Sequence, residues 1–163
     1  TGRWFACEHT NAVPDLICLG KAMTGGFPMS ACVGKAEVMD AWPLSSGEAM
    51  HTSTFLGHPV GCAMALAQIS EIRKRKLPER SAHLGAKLLE RLRSVGSARG
   101  IGLMAGLELE SGEHALSVIQ TMLKQGHILL PEGERGNVIA FTPPLTISWA
   151  QLNSAVEALH AAL

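Results

Sequence analysis

Lys21 is the residue whose position best fits covalent chemistry on a carbonyl group. It follows directly on the apolar segment 15–20 (DLICLG), which has the composition of a short buried strand. Ligands of open α/β sheets bind beyond the carboxyl ends of strands. The Lys21 amine is therefore placed to condense with an aldehyde or ketone, and the small neighbours Gly20, Ala22 and Gly25 leave room for a flat ring.

An ordinary surface role for Lys21 has to be weighed against this chemistry. Schiff-base formation needs a neutral amine, and lowering a lysine pKa from about 10.4 to about 7 takes about 4–5 kcal/mol, which burial or a neighbouring cation can supply. A second Gly-Lys-Ala triplet, 34–36, ends the next apolar segment. Lys35 opens an amphipathic helical pattern there, which favours an ordinary solvent position for that lysine.

A second polar cluster, 51–59 (HTSTFLGHP), comes immediately before a long segment with helical periodicity. Proline is favoured at the first helical position, so a helix is predicted from Pro59. Hydroxyl groups and backbone amides ahead of a helix suit a phosphate, because donors and helix dipole converge there. A capping loop with solvated hydroxyls explains the same composition, and His51 and His58 are equally consistent with structural roles.

Several other chemistries lack their motifs. A P-loop would need Gly at position 15 and Ser or Thr at position 22, where the chain has Asp15 and Ala22. The sequence contains no HExxH, no GxSxG and no zinc-type spacing of Cys and His, so no metal site is predicted. Its four cysteines, Cys7, Cys18, Cys32 and Cys62, form no CxxC pair. They are interpreted as buried reduced thiols, with a metal site or a disulfide as the less favoured alternative, and this weakly indicates a cytoplasmic setting.

The composition predicts a globular protein. Of 163 residues, 47% are hydrophobic and 17% are charged, which argues against disorder. Fourteen basic and fourteen acidic residues leave no electrostatic footprint for nucleic acid. No apolar run approaches the roughly 20 residues of a membrane span, so neither nucleic acid nor a membrane is expected as a partner.

Two regions of different build are predicted along the chain. Residues 1–76 offer two short strands and one long helix, too few to cover a sheet on both faces, and are expected to be the incomplete end of a larger domain. Residues 77–163 predict helix, strand, helix, strand, strand and helix, typical of a small α+β or α/β layer domain. Because the chain begins at Thr1 without an initiator Met, a fragment or a processed product is expected.

Helix faces and caps follow from apolar spacing. The predicted stripes are Cys62, Leu66, Ile69 and Ile72 on the long helix, and Leu84, Leu88, Leu92 and Val95 on the next. A turn at 99–102 is predicted to lead into a strand near 103–110. Gly126 is predicted to end a third helix, and Ser148 with Gln151 has the capping-box spacing for the last one.

Several segments, in this order, resemble the class III pyridoxal-phosphate (PLP) aminotransferases, the group that contains ornithine, 4-aminobutyrate and acetylornithine aminotransferases. The segment 14–34 (PDLICLGKAMTGGFPMSACVG) is similar to that family's cofactor-lysine motif, and 51–65 (HTSTFLGHPVGCAMA) to the loop and helix that follow it. Segments 99–110 and 141–148 resemble its C-terminal domain more weakly. The similarity covers essentially the whole chain.

The resemblance implies the α/β fold of PLP-dependent transferases of fold type I. Residues 1–76 would be the end of the PLP-binding large domain, and 77–163 the small C-terminal α+β domain. Lys21 would form the Schiff base with pyridoxal 5′-phosphate and shuttle a proton as amino groups pass from an amine or amino acid to a 2-oxo acid. Ser53 and Thr54 match a pair that holds the phosphate, typically of the neighbouring subunit, so a homodimer is implied.

Two positions depart from the family pattern. His58 stands where an asparagine is common, and Ala140 stands where many members that bind α-amino acids carry a carboxylate-clamping arginine. Such a charge-assisted contact is worth about 1.5–3 kcal/mol. Its loss disfavours an ordinary α-carboxylate substrate and favours an ω-amine, a bulkier substrate or a carboxylate held elsewhere. Arg135 lies close by in a turn, 133–136, and is interpreted as a solvated turn residue.

The family's Gly-rich phosphate loop, its ring-stacking aromatic and the aspartate that pairs with the pyridine nitrogen are not located in this chain. The isolated chain is therefore expected to bind PLP weakly and to be inactive in transamination. Two alternatives stay open at this point: a non-catalytic remnant or dimerisation module of the same fold, and a PLP-dependent aminomutase.

Overall fold

The computed structural model describes residues 1–43, 47 and 53–163, which form two compact units. The lysine unit is Cys7–Arg75, and the sheet unit combines Thr1–Ala6 with Lys76–Leu163. The change from one unit to the other comes at Lys76, whose φ of +49° lies in the left-handed region. The assignment of 1–76 and 77–163 to a large and a small domain stays a prediction.

The lysine unit consists of a two-stranded antiparallel sheet followed by helices. Its elements are β1 (Leu16–Leu19), β2 (Ala31–Gly34), α1 (Ala36–Met39) and α2 (Pro59–Lys74). Both strands lie within the two apolar segments, and the predicted start of α2 at Pro59 is confirmed. The segment between β1 and β2 packs on α2, so the residues around Lys21 are held against this helix.

The predicted apolar face of α2 is wrong in part. Leu66 is 69% exposed, and the buried positions are Gly61 and Ala65. A Cβ built on Gly61 would lie 3.1 Å from the side chains of both Phe27 and Met29. The helix therefore meets its neighbour through small residues that allow a close approach, whereas the periodicity counted only large apolar ones.

The sheet unit contains four antiparallel strands in the order β3-β4-β6-β5, together with three helices. Its elements are α3 (Leu77–Arg93), β3 (Ser97–Ile101), β4 (Met104–Glu108), α4 (Gly112–Lys124), β5 (Leu130–Glu132), β6 (Val138–Phe141) and α5 (Trp149–Ala162). The turn predicted at 99–102 is wrong in part, because residues 99–101 end strand β3 and the chain reverses at Gly102, where φ is +58°. The strand predicted near 103–110 is confirmed as β4.

The hydrophobic core of the sheet unit lies between its three helices and one face of its sheet. Antiparallel partners share a face, and the core face carries Ala105 opposite Phe141 and Leu107 opposite Ile139. The predicted stripe of α3 is confirmed at three positions, which are buried, whereas Val95 is half-buried. Burying each such leucine contributes about 1.5–3 kcal/mol, so this unit has a core of its own.

The predicted helix ends are confirmed. After α4, Gly126 has a φ of +87°, and its N–H donates to the Leu123 carbonyl while the N–H of His127 donates to the Met122 carbonyl, at 3.0 and 2.9 Å. This is the Schellman arrangement. At the start of α5, Ser148 and Gln151 form a reciprocal capping box.

Helix α3 approaches the turn between β3 and β4 very closely. A Cβ on Gly85 would lie 1.9 Å from the carbonyl oxygen of Gly102, so a side chain cannot be fitted there without displacing the backbone. Ser81, which is 1% exposed, accepts a hydrogen bond from the Leu103 N–H at 3.1 Å. Gly85 and Ser81 thus allow α3 to lie close to the β3–β4 hairpin.

Candidate functional site

Lys21 is the first residue of a short 3-10 helix, Lys21–Met23, that follows β1 after the single residue Gly20. Its side chain is exposed, and its φ of +50° lies in the left-handed region. Residues other than glycine adopt this region rarely, and strain of this kind clusters at functional sites, at about 1–3 kcal/mol each. Asn11 and Lys76 also have positive φ values, so the backbone marks Lys21 only in combination with its position immediately after β1.

Lys35 differs from Lys21 in its backbone conformation and in its contacts. Its φ is −60°, and it caps α1. Its Nζ lies 2.7 Å from the Asp15 Oδ1, and its N–H donates to the Asp15 carbonyl at 3.0 Å. Within the described residues, no ion pair or side-chain hydrogen bond engages Lys21. The lysine of the second Gly-Lys-Ala triplet therefore has a structural role, in an ion pair with Asp15.

The segment after Lys21 is shaped by one buried hydroxyl and two glycines. Thr24 is 3% exposed, and its Oγ1 donates to the Phe27 carbonyl. Gly25 and Gly26 have φ values of +71° and +138°, and a Cβ on Gly26 would meet nothing within 4 Å. Lys21 therefore precedes a fixed turn with open space beside it, which is compatible with a flat ring.

Ser53 and Thr54 are exposed and precede α2. The Ser53 carbonyl accepts the Leu56 N–H at 3.0 Å, which closes the first turn of this segment. His51 and Thr52 of the same cluster lie outside the described residues. No hydrogen bond joins Lys21 to either hydroxyl in the part of the chain that the structure describes, although all three residues belong to the lysine unit.

His58 has a structural role in the start of α2. Its Nδ1 accepts a hydrogen bond from the Gly61 N–H at 3.4 Å, so it is the N-cap of the helix. Its ring centroid lies 5.1 Å from that of Phe27 and 5.7 Å from that of Phe55. A histidine can thus replace an asparagine here because Nδ1 supplies the acceptor that a cap needs, while the ring adds aromatic contacts.

Ala140 lies on the face of the sheet that is opposite the core. Strand register places Arg99, Gly106 and Ala140 in one row across β3, β4 and β6. The other two residues of the row, Gly106 and Ala140, are therefore small. The guanidinium itself is engaged, since the Arg99 Nη1 lies 2.6 Å from the Glu108 Oε2.

Glu108 is the centre of a polar cluster that the sequence did not predict. Its Oε1 accepts from the Asn137 Nδ2 at 3.2 Å and lies 3.7 Å from the Arg135 Nη2. The hydrogen bonds from Arg99 and Asn137, with the positive charges of Arg99 and Arg135, hold the pKa of Glu108 below its ordinary value. Arg135 is 71% exposed, which agrees with its interpretation as a solvated turn residue. It also forms this long ion pair with Glu108.

The expected burial of the cysteines is wrong at two positions. Cys18 and Cys32 are exposed, and Cys7 and Cys62 are half-buried. The strands β1 and β2 are apolar, yet within the described residues little covers their outer faces, which periodicity cannot detect. The register that pairs β1 with β2 also places Cys18 directly opposite Cys32, which spacing in the sequence did not reveal.

A groove of about 840 Å³ lies within the sheet unit, between the end of α4, strand β6 and the start of α5. Lys21, Ser53 and Thr54 do not line it. Among the described residues, no group of three or more Cys, His, Asp or Glu could hold a metal ion. No helix in the described ranges is both long and apolar enough to cross a bilayer.

Comparison with known proteins places this geometry in a family. The model of the class-III aminotransferases matches residues 1–163, the whole of the chain. The chain belongs to the class-III aminotransferases. The resemblance of the lysine segment and of the segments that follow it is thereby confirmed, and the fold is that of PLP-dependent aminotransferases.

Individual relatives of this class-III chain differ in their named reactions. An ornithine aminotransferase of Geobacillus sp. is 37% identical over 163 residues, covering 96% of this chain and 39% of that protein. A leucine/methionine racemase of Thermococcus litoralis is 36% identical over 176 residues, covering 100% and 39%. Family membership is therefore compatible with more than one reaction.

Solved class-III structures share the fold of the chain. An amine transaminase from an uncultivated Pseudomonas species, in its PLP-bound form, superimposes with a TM-score of 0.86 at 30% identity, covering 99% of this chain and 40% of that one. The chain thus spans about two fifths of the length of the proteins it matches.

Proposed function

We propose that the protein is a PLP-dependent aminotransferase, which transfers an amino group from an amine or amino acid to a 2-oxo acid. The observation that carries the proposal is the backbone of Lys21, held left-handed immediately beyond β1 in a chain of the class-III family. A homodimer in the cytoplasm, with 1–76 in the PLP-binding domain and 77–163 in the small domain, completes the proposal.

Lys21 is proposed as the residue that attaches the cofactor. PLP, when bound, supplies an electrophilic aldehyde and an electron-withdrawing ring. The Lys21 Nζ is exposed and carries no ion pair within the described residues, so no partner has to be broken before it reacts. The same amine, once released, is positioned to accept and return a proton as a general base and acid.

Ser53 and Thr54 are proposed as phosphate ligands. Both hydroxyls are exposed ahead of α2, where donors and the positive end of the helix dipole favour an anion. The family resemblance implies that they hold the phosphate of the neighbouring subunit's cofactor. The Cys7–Arg75 unit would thus provide a lysine for cofactor attachment and two hydroxyl groups for phosphate binding.

Borohydride trapping tests the attachment residue. The purified protein is mixed with PLP, reduced and digested, and the modified lysine is located by mass spectrometry. We expect the adduct on Lys21, lost in Lys21→Ala and retained in Lys35→Ala, which removes the paired lysine of the similar triplet. An adduct that stays in Lys21→Ala would contradict the proposal. A folded protein that forms no adduct would favour the non-catalytic remnant.

A second PLP reaction on the same site is favoured by two observations. The position of the carboxylate clamp is Ala140, and a relative 36% identical to the chain is named a leucine/methionine racemase. An isomerising enzyme, such as a racemase or an aminomutase, would convert its substrate into an isomer over many turnovers without any 2-oxo acid. An aminotransferase would need the 2-oxo acid to complete its turnover, so the two reactions are distinguishable.

A further inference from the structure

We draw no further inference here: the strongest candidate, the groove of the sheet unit between the end of α4, strand β6 and the start of α5, carries none, because the chain spans about two fifths of the length of its relatives and nothing in the part that the structure describes shows what covers this groove.

Discussion

At the scale of single residues, Lys21 combines an unfavourable backbone conformation with an amine that has no ion pair within the described residues. Lys35, in the second Gly-Lys-Ala triplet, is the natural comparison, because it has an ordinary φ and an ion pair with Asp15. A conformation that costs stability without forming a contact is typical of residues retained for function. Replacing Lys21 therefore tests whether this residue lowers the stability of the fold.

Replacing Lys21 with glycine should make the cofactor-free protein more stable. Glycine adopts a φ of +50° without the clash of a Cβ, which removes about 1–2 kcal/mol of strain. Lys35→Gly, at a φ of −60°, should lower stability, because glycine raises the conformational entropy of the unfolded chain and the ion pair with Asp15 is lost. Urea denaturation of both variants measures the effect, and a Lys21→Gly protein less stable than the parent would contradict it.

Glu108 gives the sheet unit a defined response to acid. Because its folded pKa is lowered, mainly by Arg99 and Asn137, its ionisation stabilises the fold above its ordinary pKa of 4.5, and this stability is lost as pH falls through the lower folded pKa. Glu108→Gln should therefore flatten the fall in stability below about pH 4.5. Denaturation midpoints measured from pH 7 down to pH 3 check this, and an unchanged slope would speak against it.

Chemistry at single residues was predicted from the sequence only where one local segment was sufficient. Lys21 is recognisable because the strand before it and the small residues around it are contiguous. The pairs Arg99–Glu108 and Cys18–Cys32 depend on strand register, which cannot be predicted from a local sequence pattern. The burial of Cys18 was misjudged for a related reason, since an apolar strand does not reveal what covers it.

At the scale of secondary-structure elements, the α-helices and all strands but β3 of the described residues were predicted from the sequence. The starts of α2 and α5 were recognisable from Pro59 and Ser148, whose effects are local. Strand β3 was missed because its residues, SARGI, are nearly all exposed and show no alternation. Its position comes from pairing with β4 and from contact with α3, both of which are tertiary.

The seam between α3 and the β3–β4 turn should be intolerant of any side chain. Gly85→Ala would bring a Cβ to 1.9 Å from the Gly102 carbonyl oxygen, and overpacking of this kind costs about 1–3 kcal/mol. Gly96→Ala is the control, because its Cβ would meet only the flexible end of Leu107, at 3.2 Å. Thermal denaturation should show a clearly larger loss for Gly85→Ala, and equal losses would contradict the close approach.

At the scale of the whole molecule, the two units differ in how much they bury. The sheet unit has a core that joins three helices and a sheet, whereas the described buried side chains of the lysine unit are few, including Thr24 and Ala65. Local stability follows buried apolar contacts. The chain is therefore expected to be unevenly stable, with the reactive lysine in its less stable part.

Hydrogen exchange of the reduced chain without cofactor should show this difference. Amides of β4 and β6, such as those of Leu107 and Ile139, should be the slowest, because both residues are fully buried in the core. Amides of β1 and β2 should exchange much faster, since their strand pair has little cover within the described residues. Equal protection in the two sheets would show that the lysine unit is stabilised by contacts other than these.

The grouping of Thr1–Ala6 with the sheet unit has a consequence for the order of folding. Thr1 and Gly2 pack against Gly102 and Ala82, so the whole lysine unit lies in the sequence between two segments that contact each other in the sheet unit. Contacts between such distant positions form slowly, because a long loop must close first. The sheet unit is therefore expected to complete its packing only after residues 1–6 and the β3–β4 hairpin have met across this long intervening stretch of sequence.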